Sequence, residues 1–172
     1  MNPDAGSPAT PPAPRTASHP ALSLPSLLRY WLPVVLWLML IFSMSTGLGS
    51  TRQTSRIIGP ILRWFNPSIP DETIRNIQLV IRKTAHVTEY AVLAALLLRA
   101  LRRTPPGSRA PWNPRLAQLA LVLTAFVAFS DEWHQSYVPG REGAVRDVLF
   151  DTTGGIIGLA AFRWIVRRRV SE

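Results

Sequence analysis

The side chains with the most chemical potential in this sequence form three clusters, each beside a long apolar run. The first cluster contains Lys83, His86 and Tyr90, whose spacing of i, i+3 and i+7 places them on one face of a helix. An ammonium, an imidazole and a phenol on one face can bind an anion, carry a proton or donate hydrogen bonds. Ionisable groups inside a bilayer are costly and usually functional, so these residues are candidates for a site.

The second cluster ends an apolar stretch at "SDEWHQ". Asp131, His134 and Gln135 share one helical face at i, i+3 and i+4, and Glu132 lies next to them. Carboxylates and an imidazole together can perform acid–base chemistry or bind a metal ion, and the amide adds hydrogen bonds.

The third cluster opens the last apolar run. Asp147 and Asp151 lie one turn apart, followed on the same face by Gly154 or Gly155 and then Gly158. A stripe of glycines lets a neighbouring helix approach closely. We therefore expect these glycines to serve helix packing and to hold the two carboxylates against their partners.

The composition indicates a membrane protein. The chain of 172 residues is 47% hydrophobic and 17% charged, whereas a soluble domain carries about 25% charged residues. Its net charge of +9 comes mostly from arginines at the ends of apolar runs, where they face lipid headgroups, so we expect no nucleic-acid partner. The absence of cysteine excludes disulfides and thiolate metal ligands.

The fold class predicted is all-α, an integral membrane protein with a four-helix transmembrane bundle. A Pro-, Ala- and Ser-rich disordered tail precedes the bundle and a basic tail follows it. The predicted boundaries are 1–26 for the first tail, 27–166 for the membrane domain and 167–172 for the second tail, with spans at about 27–46, 77–101, 116–137 and 148–166.

The second and third spans cannot cross a bilayer without their polar clusters. The uninterrupted apolar part of the second, residues 90–98, would rise only about 14 Å as a helix. The third span, "LAQLALVLTAFVAFS", is also short unless it continues through "DEWHQSY". Both clusters are therefore expected at membrane depth.

The arginines predict the orientation of the bundle. Eleven arginines lie on the side that holds both termini and the 99–115 loop, and six lie on the other side. The positive-inside rule then places both termini in the cytoplasm of a multi-pass protein of the cell membrane. All three polar clusters come to the outer side at one depth.

The first outer loop, residues 47–76, contains "SRIIGPILRWFNP". Its aliphatic and aromatic residues could form a short helix lying in the outer interface. A loop that packs on the spans accounts for them equally well.

Three stretches resemble the VanZ-like family: "RKTAHVTEYAVLAALLLRAL", "SDEWHQSYVPGREGAVRDVLFDTTGGIIG" and the "FSMS" that closes the first span. The resemblance covers roughly residues 30–165. Ser43 and Ser45 match the serines that end the family's first helix, and Asp151 stands where many members have Asn. The family's motif falls on Lys83, His86, Tyr90, Asp131, Glu132, Gln135, Arg141, Asp147, Asp151 and Gly154.

The resemblance implies an integral membrane protein of the bacterial envelope. The family's namesake is associated with low-level resistance to the glycopeptide teicoplanin. The resemblance implies no particular reaction, and the function therefore has to be argued from the site.

Three functions remain open. In the first, the clusters bind a membrane lipid headgroup or a lipid-linked cell-wall intermediate. Lys83 and Arg141 would then contact phosphate, while His86 and Gln135 orient the headgroup and Tyr90 stacks on it or donates a hydrogen bond.

In the second, His86 acts as base or nucleophile of a hydrolase or transferase, oriented by Asp131 or Asp147. The third is a small proton-coupled transporter, which four spans could form most readily as an oligomer. No cofactor is indicated. A metal ion at His86 and the acids has weak support because the spacing matches no zinc signature. The surplus of acids over bases in the clusters indicates a bound cation or proton.

Overall fold

The computed structural model describes residues 24–48, 51–103, 112–138 and 145–171, and every regular element in these ranges is helical. The prediction of an all-α fold is therefore confirmed. The helices are α1 (Leu24–Ser43), α2 (Thr51–Phe65), α3 (Asp71–Arg102), α4 (Pro114–Gln135) and α5 (Val145–Ser171), with a π-helical turn (Met44–Leu48) after α1.

Four of these helices, α1, α3, α4 and α5, are long and apolar enough to cross a membrane. Their outer surfaces are apolar: Leu36, Phe126 and Leu149 are each more than half exposed. A soluble protein does not expose a continuous apolar surface of this kind, whereas a bilayer solvates it. The chain is a multi-pass membrane protein with a four-helix bundle, as its sequence predicts.

Helix α3 is longer than the span expected from the sequence, because it begins at Asp71 and runs for 32 residues. The two acids in its first turn, Asp71 and Glu72, stabilise the helix because they lie at the positive end of its dipole. It ends at Arg102, and the C-cap residue Arg103 has a left-handed backbone (φ 49°) and donates its N–H to the carbonyl oxygens of Arg99 and Ala100. At about 48 Å this helix exceeds the hydrocarbon thickness, so its polar first turns need not enter the bilayer.

Helix α4 has a well-defined start. The Asn113 side chain accepts hydrogen bonds from the backbone N–H groups of Arg115 (3.0 Å) and Leu116 (3.3 Å). Pro114 occupies the first helical position, where its missing N–H costs nothing. This cap fixes where α4 begins and, through its length, where Asp131 and Gln135 lie in the bundle.

Helix α3 is the central element of the bundle, since it packs against each of the other four helices. Apart from two tyrosines, the core is built from small and aliphatic side chains, which allow the short helix separations typical of membrane bundles. Its buried members are Tyr30, Val34, Ile41, Tyr90, Leu93, Ala94, Leu97, Leu98, Ala100, Ala117, Ala120, Ala128 and Leu159.

The closest contact is between α3 and α5. A Cβ atom at Gly158 would lie 2.7 Å from the Ala91 Cα, and one at Gly154 would lie 2.9 Å from the Val87 Cα. Val87 meets Gly154, and Ala91, four residues further along α3, meets Gly158, four residues further along α5. The two helices therefore run parallel. Gly155 faces α4 instead, where a Cβ would lie 3.1 Å from the Thr124 Cγ2.

Helix α2 is amphipathic and supports the interfacial alternative for the first loop. Ile57, Ile61 and Trp64 follow each other at i, i+4 and i+7 and are all exposed. On its other side the Ser55 hydroxyl donates a hydrogen bond to the Gln78 side chain of α3 (3.1 Å). A helix with one exposed apolar face and one face packed on the bundle suits the membrane surface.

The glycine contacts generate a graded test. We expect Gly158→Ala to lower the free energy of unfolding by at least about 2 kcal/mol, because the new methyl group collides with backbone that side-chain motion cannot move away. Gly155→Ala meets only side-chain atoms and should cost less. Thermal unfolding midpoints in detergent micelles would measure both.

Gly59→Ala is the matched control, because a Cβ there would have no atom within 4 Å. It should leave stability unchanged or raise it by up to about 1 kcal/mol. Equal midpoints for Gly158→Ala and Gly59→Ala would contradict the close α3–α5 contact.

Candidate functional site

An ion pair joins α3 to α5 at one end of the site. The Lys83 Nζ donates to the Asp147 Oδ1, and the two side chains are 28% and 22% exposed. The same Nζ lies 4.9 Å from the centroid of the Phe150 ring, within cation–π range. Removing either partner would leave an uncompensated charge among the helices, so the pair holds α3 and α5 in register.

Asp131 is the centre of a buried hydrogen-bond network. Its Oδ2 accepts from the Tyr90 hydroxyl of α3 (3.2 Å) and from the Gln135 amide one turn along α4 (2.8 Å). The Gln135 amide also reaches the Ser45 hydroxyl in the turn after α1 (3.4 Å). Hydrogen bonds to a charged group contribute about 1.5–3 kcal/mol each, so this network stabilises the junction of three elements.

His86, Glu132 and Asp151 form a third group, with one residue each from α3, α4 and α5. The His86 Nδ1 lies 3.5 Å from the Asp151 Oδ1, and the Asp151 side chain is 1% exposed. One ligand-type atom from each residue lies within 4.8 Å of the others. Among the described residues, the Asp151 Oδ2 has no hydrogen-bond donor, and its Oδ1 has the long contact with His86.

A groove with a volume of about 390 Å³ lies between α1 and α4. Its three polar residues, Ser130, Asp131 and His134, lie towards the end of the groove where α1 and α4 finish, and the rest of the lining is apolar. The ring of His134 packs on the Phe42 ring with 4.8 Å between centroids. The lining residues are Val35, Leu38, Met39, Ile41, Phe42, Val127, Ser130, Asp131 and His134.

Comparison with known proteins assigns the chain to a family. A family model described as VanZ/LLP1 matches residues 30–167, about four-fifths of the chain. The chain belongs to the VanZ/LLP1 family. The resemblance inferred from the motifs is thereby confirmed, while comparison with curated proteins and with solved structures found no match.

Most of the motif of this VanZ/LLP1 chain falls within the three contact groups. They contain Lys83 with Asp147, then Tyr90, Asp131 and Gln135, then His86, Glu132 and Asp151. Arg141 lies outside the described residues, and Gly154 and Gly158 form the α3–α5 contact beside them. Three helices thus bring together side chains that are up to 68 positions apart in the sequence.

For an enzyme, the sequence predicted that Asp131 or Asp147 would orient His86. In this VanZ/LLP1 protein the carboxylate beside His86 is that of Asp151. Asp147 pairs with Lys83, and Asp131 accepts from Tyr90 and Gln135, whereas Asp151 lies against His86. The parallel register of α3 and α5 explains this. Lys83 meets Asp147, and one turn further along both helices His86 meets Asp151.

Sequence reasoning missed the groove of this VanZ/LLP1 protein and the part that His134 takes in it. The first span is apolar on every side, so its sequence cannot reveal which face leaves a space. His134 shares a helical face with Asp131, which was the available signal. Within the described chain its Nε2 is buried and has no hydrogen-bond partner.

The Lys83–Asp147 pair can be tested with a double-mutant cycle. Lys83→Met and Asp147→Asn each leave one charge without its partner, so each should destabilise the fold more than the combined variant does. We expect a coupling energy of about 1–3 kcal/mol from unfolding by denaturing detergent.

The exposed pair of Arg63 and Asp71 provides the control, with side chains that are 56% and 69% exposed. Arg63→Met and Asp71→Asn should show little coupling, because solvent screens such pairs. Additive losses at Lys83 and Asp147 would count against the pair as a register-holding contact.

Proposed function

We propose that this protein binds a single lipid of the bacterial cell membrane, either a membrane phospholipid or a lipid-linked envelope intermediate. The acyl chain would lie in the groove between α1 and α4, and the headgroup at the polar end of the groove. The observation that carries this proposal is a largely apolar groove whose three polar lining residues, Ser130, Asp131 and His134, follow one another near the end of α4.

The size and opening of the groove support a lipid as the occupant. Its volume of about 390 Å³ lies within the range of small-molecule sites. Met39 and Phe42 line the groove and are both more than half exposed, so the groove faces the lipid that surrounds the bundle. A chain can therefore enter sideways from the bilayer without crossing a polar barrier.

The polar end favours a headgroup that carries hydrogen-bond donors. Asp131 is one of the residues that line the groove, and Lys83, the cation first expected to contact phosphate, pairs with Asp147. A bare phosphate would meet negative charge there, whereas an amine or sugar hydroxyl could donate to Asp131. His134 lines the groove beside Asp131. Lys83 then positions the helices rather than the ligand.

The charge distribution supports an orientation with the polar end of the groove facing outwards. At the opposite end, Arg99 lies over the Tyr30 ring at 5.9 Å and Arg163 over the Trp112 ring at 5.5 Å. Arginine beside interfacial aromatic rings is typical of the cytoplasmic membrane surface. Both termini would then be cytoplasmic, and the groove would accept lipid from the outer leaflet.

A hydrolase or transferase is less well supported. The two carboxylates proposed to orient His86 are bonded to other side chains, and His86 does not line the groove. Binding without chemistry requires only the contacts described above.

Filling the groove tests the proposal directly. In Val127→Trp the indole would occupy the space of the acyl chain, so the protein should lose its tightly bound lipid. Native mass spectrometry in detergent, at a concentration that strips loosely attached lipid, should show about one lipid retained by the unmodified chain. Phosphatidylethanolamine and a glycolipid should be retained better than phosphatidic acid.

Val122→Trp is the matched control, because Val122 lies on the same helix, is 63% exposed and does not line the groove. It should retain lipid like the unmodified protein. Equal retention by the two tryptophan variants, or no retained lipid in the unmodified protein, would refute the proposal.

The orientation can be tested with single cysteines, since the chain has none of its own. We expect Ser68→Cys, in the exposed connection between α2 and α3, to react with a membrane-impermeant maleimide on intact cells. Ser108→Cys, between α3 and α4 in the sequence, should react only after permeabilisation. The reverse pattern would place the groove opening on the cytoplasmic side.

A further inference from the structure

We propose that His86, Glu132 and Asp151 hold a divalent metal ion where α3, α4 and α5 meet, with Zn²⁺ as the ion that suits them best. The site is separate from the lipid groove, because none of the three side chains lines that groove. The inference therefore does not depend on lipid binding.

Asp151 is the residue that points to a ligand. Its side chain is 1% exposed. Among the described residues its Oδ1 has a long contact with the His86 Nδ1 (3.5 Å), and its Oδ2 accepts no hydrogen bond. The other two aspartates of the site are satisfied, Asp147 by Lys83 and Asp131 by two donors. A buried carboxylate with only one long polar contact is poorly compensated, so a cation beside Asp151 would stabilise it.

The geometry allows one ion to reach all three residues. Their ligand atoms lie within 4.8 Å of one another, while atoms bound to the same Zn²⁺ lie about 3.4 Å apart. Side-chain rotations that shift each ligand atom by about 1 Å would bring all three within bonding distance of one Zn²⁺. Because the ligands come from three packed helices, the backbone already supplies the arrangement.

Charge balance also favours a divalent ion. Two ionised carboxylates and a neutral imidazole carry a charge of −2, which one M²⁺ cancels. A divalent ion can contact both carboxylates at once, whereas a proton on His86 lies against Asp151. An ion of charge +2 therefore satisfies the group more completely than a proton does.

The donor set selects the kind of metal. One imidazole nitrogen with two carboxylate oxygens suits Zn²⁺ or Mn²⁺, whereas Mg²⁺ prefers oxygen ligands and keeps several waters. Three protein ligands leave a coordination position free for water or substrate, as in zinc sites that are not closed. Zn²⁺ is preferred over Mn²⁺ because its affinity for a given site is generally higher.

The experiment measures metal uptake by the full-length protein. The chain is purified in detergent with an affinity tag that contains no histidine, stripped with a chelator, and titrated with Zn²⁺ or Mn²⁺ alone. Calorimetry and elemental analysis should give about one ion per chain, and bound metal should raise the thermal unfolding midpoint. Asp151→Asn and His86→Gln should each weaken binding at least about tenfold.

Two controls separate this site from other causes of binding. Glu72→Gln removes one exposed acid from α3, far along the helix from His86, and should bind metal normally. Val127→Trp should also bind metal normally, because it blocks only the groove. Loss of metal with lipid retained, or the reverse, shows which of the two sites has failed.

The outcome is decisive even where a variant folds poorly, because the unmodified chain is informative alone. Uptake well below one ion per chain for both metals would overturn the proposal. Equal uptake by a folded Asp151→Asn variant, verified by its helicity and monodisperse elution, would overturn it as well. Binding of Mn²⁺ but not Zn²⁺ would support the site and correct its metal.

Discussion

The compensation of carboxylates buried among bilayer-crossing helices is the constraint on which this structure depends. Asp131 and Asp151 are buried and Asp147 is partly buried, and an ionised carboxylate in such a place is stable only beside a donor or a cation. Two of them find partners on a neighbouring helix, so each satisfied carboxylate is also a contact that positions two helices. The side chains that could bind a ligand are therefore the same ones that hold the helices of the bundle together.

The glycines of α5 make those contacts possible. Gly154 and Gly158 place the backbone of α5 directly on that of α3, and the Lys83–Asp147 pair and the His86–Asp151 contact lie on the adjoining turns. With a side chain at either position the helices would separate, and the short reach of Asp151 could no longer bring it to His86. A long side chain such as that of Lys83 would tolerate the separation better. Close packing is therefore most important for the most deeply buried members of the site.

The sequence predicted the number and type of the crossing helices because length and hydropathy determine them almost alone. It also predicted that the polar clusters lie at one depth in the membrane, because the position of a residue in a helix determines its distance along the helix axis. It could not predict that Asp151, rather than Asp147, lies against His86, because that depends on the relative register of α3 and α5. Nor could it predict the groove, because the residues on every face of α1 are equally apolar. The His86–Asp151 contact and the groove both depend on how the helices pack against one another. No local pattern in a single sequence encodes that packing.

Asp131 links the groove to the interior of the bundle. It lines the polar end of the groove, and its Oδ2 accepts from Tyr90 in the core. Gln135 extends this network to Ser45, just beyond the end of the helix that forms the opposite wall. The polar end is therefore held from both sides, whereas the apolar part is lined by side chains such as Met39 that can change rotamer. A rigid polar end and an adaptable apolar part suit selection by headgroup with tolerance of chain length, because specificity requires fixed donors and acceptors while a hydrocarbon tail requires only space.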